Sequence, residues 1–151
     1  FLLIRVVNII FSYVIKYMDN KDYYVDNSNV VELCSSDFKN KKVSHKNYEG
    51  KFGLIKAYAP WCGHCKRFKD DMNFLANNLN NQGFTVGALN CDKYKDLSKQ
   101  LGVPYYPYLF QVYPDGELKA MELEGGRNVE SILKKICQFT NEKSTRKRKM
   151  L

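Results

Sequence analysis

The sequence predicts an α/β domain with a mixed central sheet, parallel strands plus a C-terminal antiparallel hairpin, and helices on both faces. Three observations point there. Short β-branched or apolar runs alternate with helix-period stretches, the pattern of parallel strands joined by crossovers. "PDG" at 114–116 sits between two strand-like runs, which marks a hairpin. Apolar residues make up 44% of the 151, enough for a core that does not rely on disulfides.

The elements follow in order. "VVELCS" (30–35) is a short β-branched strand, and Ser36 or Asp37 offers a cap for a helix after it. "KKVSHKNYEGK" (41–51) is a polar loop or frayed helix, and "FGLIKAYA" (52–59) reads as a buried strand ended by Pro60. Phe68, Met72, Leu75 and Leu79 recur at helical spacing, giving a helix that starts just after Cys62, runs to about Asn81 and is closed by Gly83. "FTVGALNC" (84–91) is a strand, and "YKDLSKQLG" (94–102) is a short helix stopped by Gly102. "YPYLFQVY" (106–113) and "LKAMELEG" (118–125) are the two hairpin strands. "NVESILKKICQF" (128–139) is a final helix, capped by Asn128, with Ile132, Ile136 and Phe139 on its apolar face. The predicted order is β-α-β-α-β-α-β-β-α.

The domain spans 28–141. Residues 1–19 precede it, an apolar helix striped by Arg5, Asn8, Ser12, Lys16 and Asp19. That stripe suits a signal, a membrane tether or a helix packed on another apolar surface. Residues 20–27 read as a polar linker. Residues 142–151 form a basic tail, with five basic residues in "KSTRKRKML". The net charge of +8 owes much to that tail, and no nucleic-acid partner is expected from it.

Chemistry concentrates in "APWCGHCKRF" (59–68). Cys62 and Cys65 form the one closely spaced pair among five cysteines; Cys34, Cys91 and Cys137 stand apart and read as buried structural thiols. A structural zinc would need a second pair, so no metal is expected. Haem attachment would need His after Cys65, where Lys66 stands. A redox dithiol accounts for more residues. At a helix N-terminus the backbone N–H groups and the dipole favour a thiolate on Cys62, and a protonated His64 would add to them. Cys62 should be exposed and attack a client disulfide; Cys65, one turn inside, should resolve the mixed disulfide. No bound cofactor is required.

"YAPWCGHCKRF", followed by "GVPYYPYLFQVYPDG" and "GGRNVESI", resembles the protein disulfide isomerase family within the thioredoxin superfamily over residues ~28 to ~141. The resemblance implies a thioredoxin fold and the formation, reduction and isomerisation of protein disulfides. It implies Cys62 as attacking and Cys65 as resolving cysteine, with Trp61, Gly63 and His64 completing the motif. It implies a cis peptide before Pro107, with Tyr106 offering backbone groups to an extended client. Tyr105 and Tyr106 serve either as an apolar client platform or as core and strand residues. Arg127 matches an arginine thought to help the second cysteine ionise, against a plain surface charge. Two positions depart from the pattern. Lys56 stands where the family places a buried acid beneath the resolving cysteine, and Tyr108 replaces the usual Thr after the cis proline. Lys56 could act as a neutral proton acceptor, act as a charge beside Cys65, or reach past both to water.

The partners implied are client proteins with thiols or disulfides and a redox partner, either glutathione or a thiol oxidase or reductase. Membrane contact would run through residues 1–19. The implied compartment is the endoplasmic reticulum lumen or secretory pathway, tethered if residues 1–19 anchor. Two other functions compete: a thioredoxin-like reductase in a reducing compartment, and a chaperone-like client-binding module with a slow site.

Overall fold

The computed structural model describes residues 29–150. The expected N-terminal helix (1–19) and linker (20–27) lie outside the described residues. The described residues divide between two compact units, one ending at Met121 and the other taking up the chain at Glu122.

The first unit is built on a five-stranded sheet. Its strands are β1 (Val30–Leu33), β4 (Phe52–Tyr58), β5 (Phe84–Asn90), β6 (Tyr108–Val112) and β7 (Leu118–Ala120). Their order across the sheet is β1-β5-β4-β6-β7. β5 pairs in parallel with both β1 and β4, whereas β6 runs antiparallel to β4 and β7. The sheet is therefore mixed as expected, and β6–β7 is the predicted hairpin. Its turn closes through the Gly116 N–H to the Tyr113 carbonyl at 2.8 Å. Gly116 adopts a φ of 86°, which a side chain would resist.

One expected element is different. The segment after β1 forms no α-helix. It makes a 3₁₀ turn at Ser35–Asp37 and a small ribbon of β2 (Phe38–Lys39) and β3 (Lys42–Val43). Neither Ser36 nor Asp37 is the cap residue expected: Cys34 is the N-cap of this turn, and Asp37 lies three residues in, its carboxylate accepting from the Cys34 N–H at 2.9 Å. Asn40 and Lys41 then turn the chain with positive φ. The apolar residues here, Phe38, Val43 and Tyr48, are five apart, so they make no helical stripe. A second 3₁₀ turn, Lys46–Tyr48, buries Tyr48.

The crossover from β4 to β5 is α1 (Gly63–Leu79), which turns Phe68, Met72, Leu75 and Leu79 inward and packs on β5 and β1. It ends in a 3₁₀ turn at Asn80–Gln82, with Gly83 in the left-handed region at φ 73°. α2 (Lys95–Gln100) follows β5.

Register sorts the sheet residues into two faces. Leu33, Ile55, Ala57, Leu89, Phe110 and Val112 cluster with Tyr48 and Cys91 on one. Lys56, Ala88 and Leu109 are paired neighbours on the other, in line with Glu32 of β1.

The second unit holds α3 (Val129–Met150), whose backbone runs on through the basic stretch. Asn128 caps it by accepting the Ser131 N–H at 2.8 Å. Ile132, Ile136 and Phe139 are buried, as the periodicity predicts.

Candidate active site

β4 delivers the chain into the site. Tyr58 ends the strand, and Cys62 becomes the N-cap of α1. The Cys62 Sγ accepts the Cys65 N–H at 3.3 Å. One of the helix's orphan N–H groups is thus aimed at the first sulfur, where a thiolate would sit. Neither cysteine is joined in a disulfide.

The sequence placed Cys62 in the open, and the structure does not. Cys62 is 8% exposed and Cys65 3%. The loop before β6 comes down on the site: the Cys62 thiol lies 3.7 Å from the Tyr106 carbonyl oxygen. Tyr106 and Trp61 meet edge to face at 6.0 Å. Only the rim is open, through Trp61 at 66% and Tyr105 at 60% exposure, with Gly63 and His64 exposed between the cysteines. The Tyr106–Pro107 peptide is cis. Tyr108 is half-buried and stacks edge to face with Tyr105 and Phe110.

The two thiols have different environments. Burial pushes the Cys65 thiol up to about 11, and its hydrogen bond to Cys62 acts the same way. The Ala59 backbone and the Lys56 charge oppose that rise. Cys65 therefore stays protonated near neutrality unless a neighbour takes its proton.

His64 does not stand alone. The Arg67 guanidinium hydrogen-bonds its Nδ1. A guanidinium only donates, so Nδ1 is the accepting atom of this contact. The contact places the fixed positive charge of Arg67 beside His64 at this rim. Their i, i+3 spacing on one helix could have revealed the pair.

Lys56 is 5% exposed, so it does not escape to water as a lysine at a strand end can. Its Nζ lies 5.2 Å from the centre of the Tyr58 ring. Burial lowers its affinity for a proton; the nearby Cys65, Glu32 and Cys62 raise it, and Lys69 lowers it further. Arg127 lies in the other unit, exposed, just before α3.

The fold is a thioredoxin fold bearing a dithiol at a helix N-terminus. Residues 29–138 match the model of the thioredoxin family, and the chain belongs to that family. Among curated relatives, it is 38% identical over 96 residues to protein disulfide isomerase-like 2-2 of Oryza sativa subsp. japonica, covering 63% of this chain and 24% of the relative. It is 34% identical over 110 residues to protein disulfide-isomerase A6 of Mesocricetus auratus, covering 73% and 24%. The chain thus spans about a quarter of the length of these relatives. Among solved structures it resembles the first thioredoxin domain of mouse protein disulfide-isomerase A4. The TM-score is 0.57 at 28% identity, over 78% of this chain and 81% of that one. The J-Trx1 fragment of ERdj5 shares the fold at a TM-score of 0.62 and 23% identity, over 77% and 54%.

Proposed function

We propose that this domain is a protein thiol–disulfide oxidoreductase of the protein disulfide isomerase type. The observation that carries the proposal is the CGHC dithiol on the N-terminus of α1, its first sulfur against a backbone N–H and its second held as a buried thiol. Cys62 is the nucleophile. Its thiolate attacks a client disulfide, one client sulfur leaves as a thiolate, and Cys62 stays joined to the other. Cys65 then loses its proton and attacks Cys62, and the second client sulfur leaves. The client has gained two electrons and the site has become a disulfide. Run backwards, the same steps oxidise a client.

Trp61 and Tyr105 supply an exposed aromatic rim where an unfolded client can rest. The Tyr106 backbone, beside the cis Pro107, offers groups for an extended segment. Gly63 and His64 keep the approach between the cysteines open. Lys56 acts on Cys65. Electrons pass onward to glutathione or to a thiol oxidase or reductase. The resemblance to disulfide isomerases favours the secretory lumen, where client disulfides persist. Among the described residues no helix is long and apolar enough to cross a membrane.

The test is trapping. Cys65→Ala should accumulate mixed disulfides with client proteins on non-reducing gels, and Cys62→Ala should not. Equal trapping by both variants would remove the assigned roles. Insulin reduction and reactivation of scrambled ribonuclease separate this reading from a pure client binder, which would turn over in neither assay.

A further inference from the structure

Lys56 leaves Cys65 without the acid that the family places beneath it, yet an acid is close by. Register puts Glu32 of β1 and Lys56 of β4 on either side of Ala88 of β5, all on one face. Two strand spacings separate them, about 10 Å between backbones, and the alanine methyl leaves the space over β5 open to longer side chains. Tyr58, two residues along the same strand, bridges the gap. Its hydroxyl donates to the Glu32 carboxylate, 3.2 Å from Oε1 and 3.3 Å from Oε2. Its ring lies 5.2 Å from the Lys56 Nζ. β1 is an edge strand and Glu32 is exposed, so the array runs from a buried amine to water.

We propose that Glu32 and Tyr58 are positioning residues for Lys56, and that the three together take the proton from Cys65 and pass it to solvent. The proposal rests on the dithiol reading above. The neutral Lys56 amine accepts the Cys65 thiol proton and becomes an ammonium. The Cys65 electron pair forms the bond to Cys62 Sγ, and the bond from Cys62 to the client sulfur breaks. The client leaves as a thiolate and is protonated from water, while the ammonium, stabilised by the Tyr58 ring and the Glu32 charge, returns its proton to solvent.

The groups that face Lys56 come from three directions. Glu32 faces it from β1 and Tyr58 from its own strand. Cys62, Cys65, Lys69 and Asp70 lie on the α1 side. Asp70 has a buried Oδ1 without a hydrogen-bond partner. Burial raises its proton affinity, against the Lys69 and Lys56 charges. Lys69 disfavours the ammonium and Asp70, when charged, favours it. Glu32 is distinguished by its hydroxyl link to the ring that the amine faces.

The experiment is stopped-flow reaction of the reduced chain with excess Ellman's reagent, followed by thionitrobenzoate release between pH 6 and 10. Attack by Cys62, and by any other cysteine, is first order in reagent, so its observed rate rises in proportion to reagent concentration. Resolution by Cys65 is a phase independent of reagent concentration, and it is the readout. In the wild-type chain its rate should rise through a midpoint set by Lys56. Glu32→Gln removes the charge that favours the ammonium and should move the midpoint down by about half to one pH unit. Tyr58→Phe keeps the ring, cuts the link to Glu32, and should move it the same way by less. Lys56→Met should abolish that midpoint and slow the phase about tenfold or more near neutrality. Wild-type and Glu32→Gln profiles that superimpose would overturn the proposal while leaving the dithiol reading intact. A wild-type chain with no concentration-independent phase would overturn both.

Discussion

Gly87→Ala tests how β4 and β5 are clamped behind the active site. Tyr48 is 2% exposed and its ring lies across the two strands, over Gly53 and Gly87, with its hydroxyl donating to the Leu54 carbonyl at 3.0 Å. A Cβ added at Gly87 would stand 2.2 Å from the Tyr48 Oη and 3.1 Å from the Val31 carbonyl oxygen. Ordinary carbon–oxygen contact needs roughly 3.4 Å, so the tyrosine must retreat by about 1 Å. That movement weakens the Leu54 hydrogen bond, worth about 1 kcal/mol. It also repacks a buried ring, at about 1–3 kcal/mol. The sum is about 2–4 kcal/mol, or about 10 °C in Tm for a domain of this size. Urea denaturation followed by circular dichroism measures it. Tyr48→Phe provides the control. Alone it should cost about 1 kcal/mol, but it deletes the atom that the new methyl meets. The added Cβ would then face the ring carbon at 3.2 Å, which a small adjustment relieves. Combined with Tyr48→Phe, Gly87→Ala should therefore add a cost of only about 1 kcal/mol or less. A single substitution within about 0.5 kcal/mol of wild type, or an equal cost with and without Tyr48→Phe, would refute the steric account.

Two further outcomes are expected. His64→Pro removes the partner that holds the Arg67 cation beside the dithiol, so equilibration with glutathione should find the pair more reducing by about 30 mV, or about 1.4 kcal/mol; an unchanged or higher potential would contradict this. Asp71 on α1 is pushed up to about 6, first by burial and then by its neighbour Asp70. A carboxyl raised in the folded state contributes stability below pH ~4 that is lost as pH rises towards 6. The undiscounted shift is worth about 3 kcal/mol, and partial exposure reduces it to about 1. Asp71→Asn should thus stabilise the domain by about 1 kcal/mol at pH 7 and by nothing near pH 4. Equal effects at both pH values would show that burial of the carboxylate is not the cause.

Sheet and helices were legible wherever one period repeated over several residues. The run 52–59 and the spacing of Phe68, Met72, Leu75 and Leu79 gave β4 and α1 with their boundaries nearly right. The true course of residues 35–51 was not legible, and a helix was expected there instead, because their order comes from single turns and from Tyr48 reaching over the sheet, which no local period encodes. The dithiol was legible because CGHC is local. Its burial was not, since the Tyr106 loop that covers Cys62 is 44 residues downstream. Lys56 was found by its departure from a family pattern. Glu32 was not, because its link to Tyr58 depends on which strand lies beyond β5.

Trp61 is the chain's single tryptophan, and it sits on the rim with its indole N–H 3.3 Å from the Asp92 carboxylate. Intrinsic fluorescence excited at the red edge therefore views the mouth of the site and is nearly blind to the core. Client docking, oxidation of the neighbouring thiol and loosening of the Asp92 contact each alter this one chromophore before the sheet yields. An emission trace and a circular-dichroism trace recorded on the same denaturation would then part company: the first would time the opening of the rim, the second the loss of the sheet. The protein carries its own optical probe, already positioned where its chemistry begins.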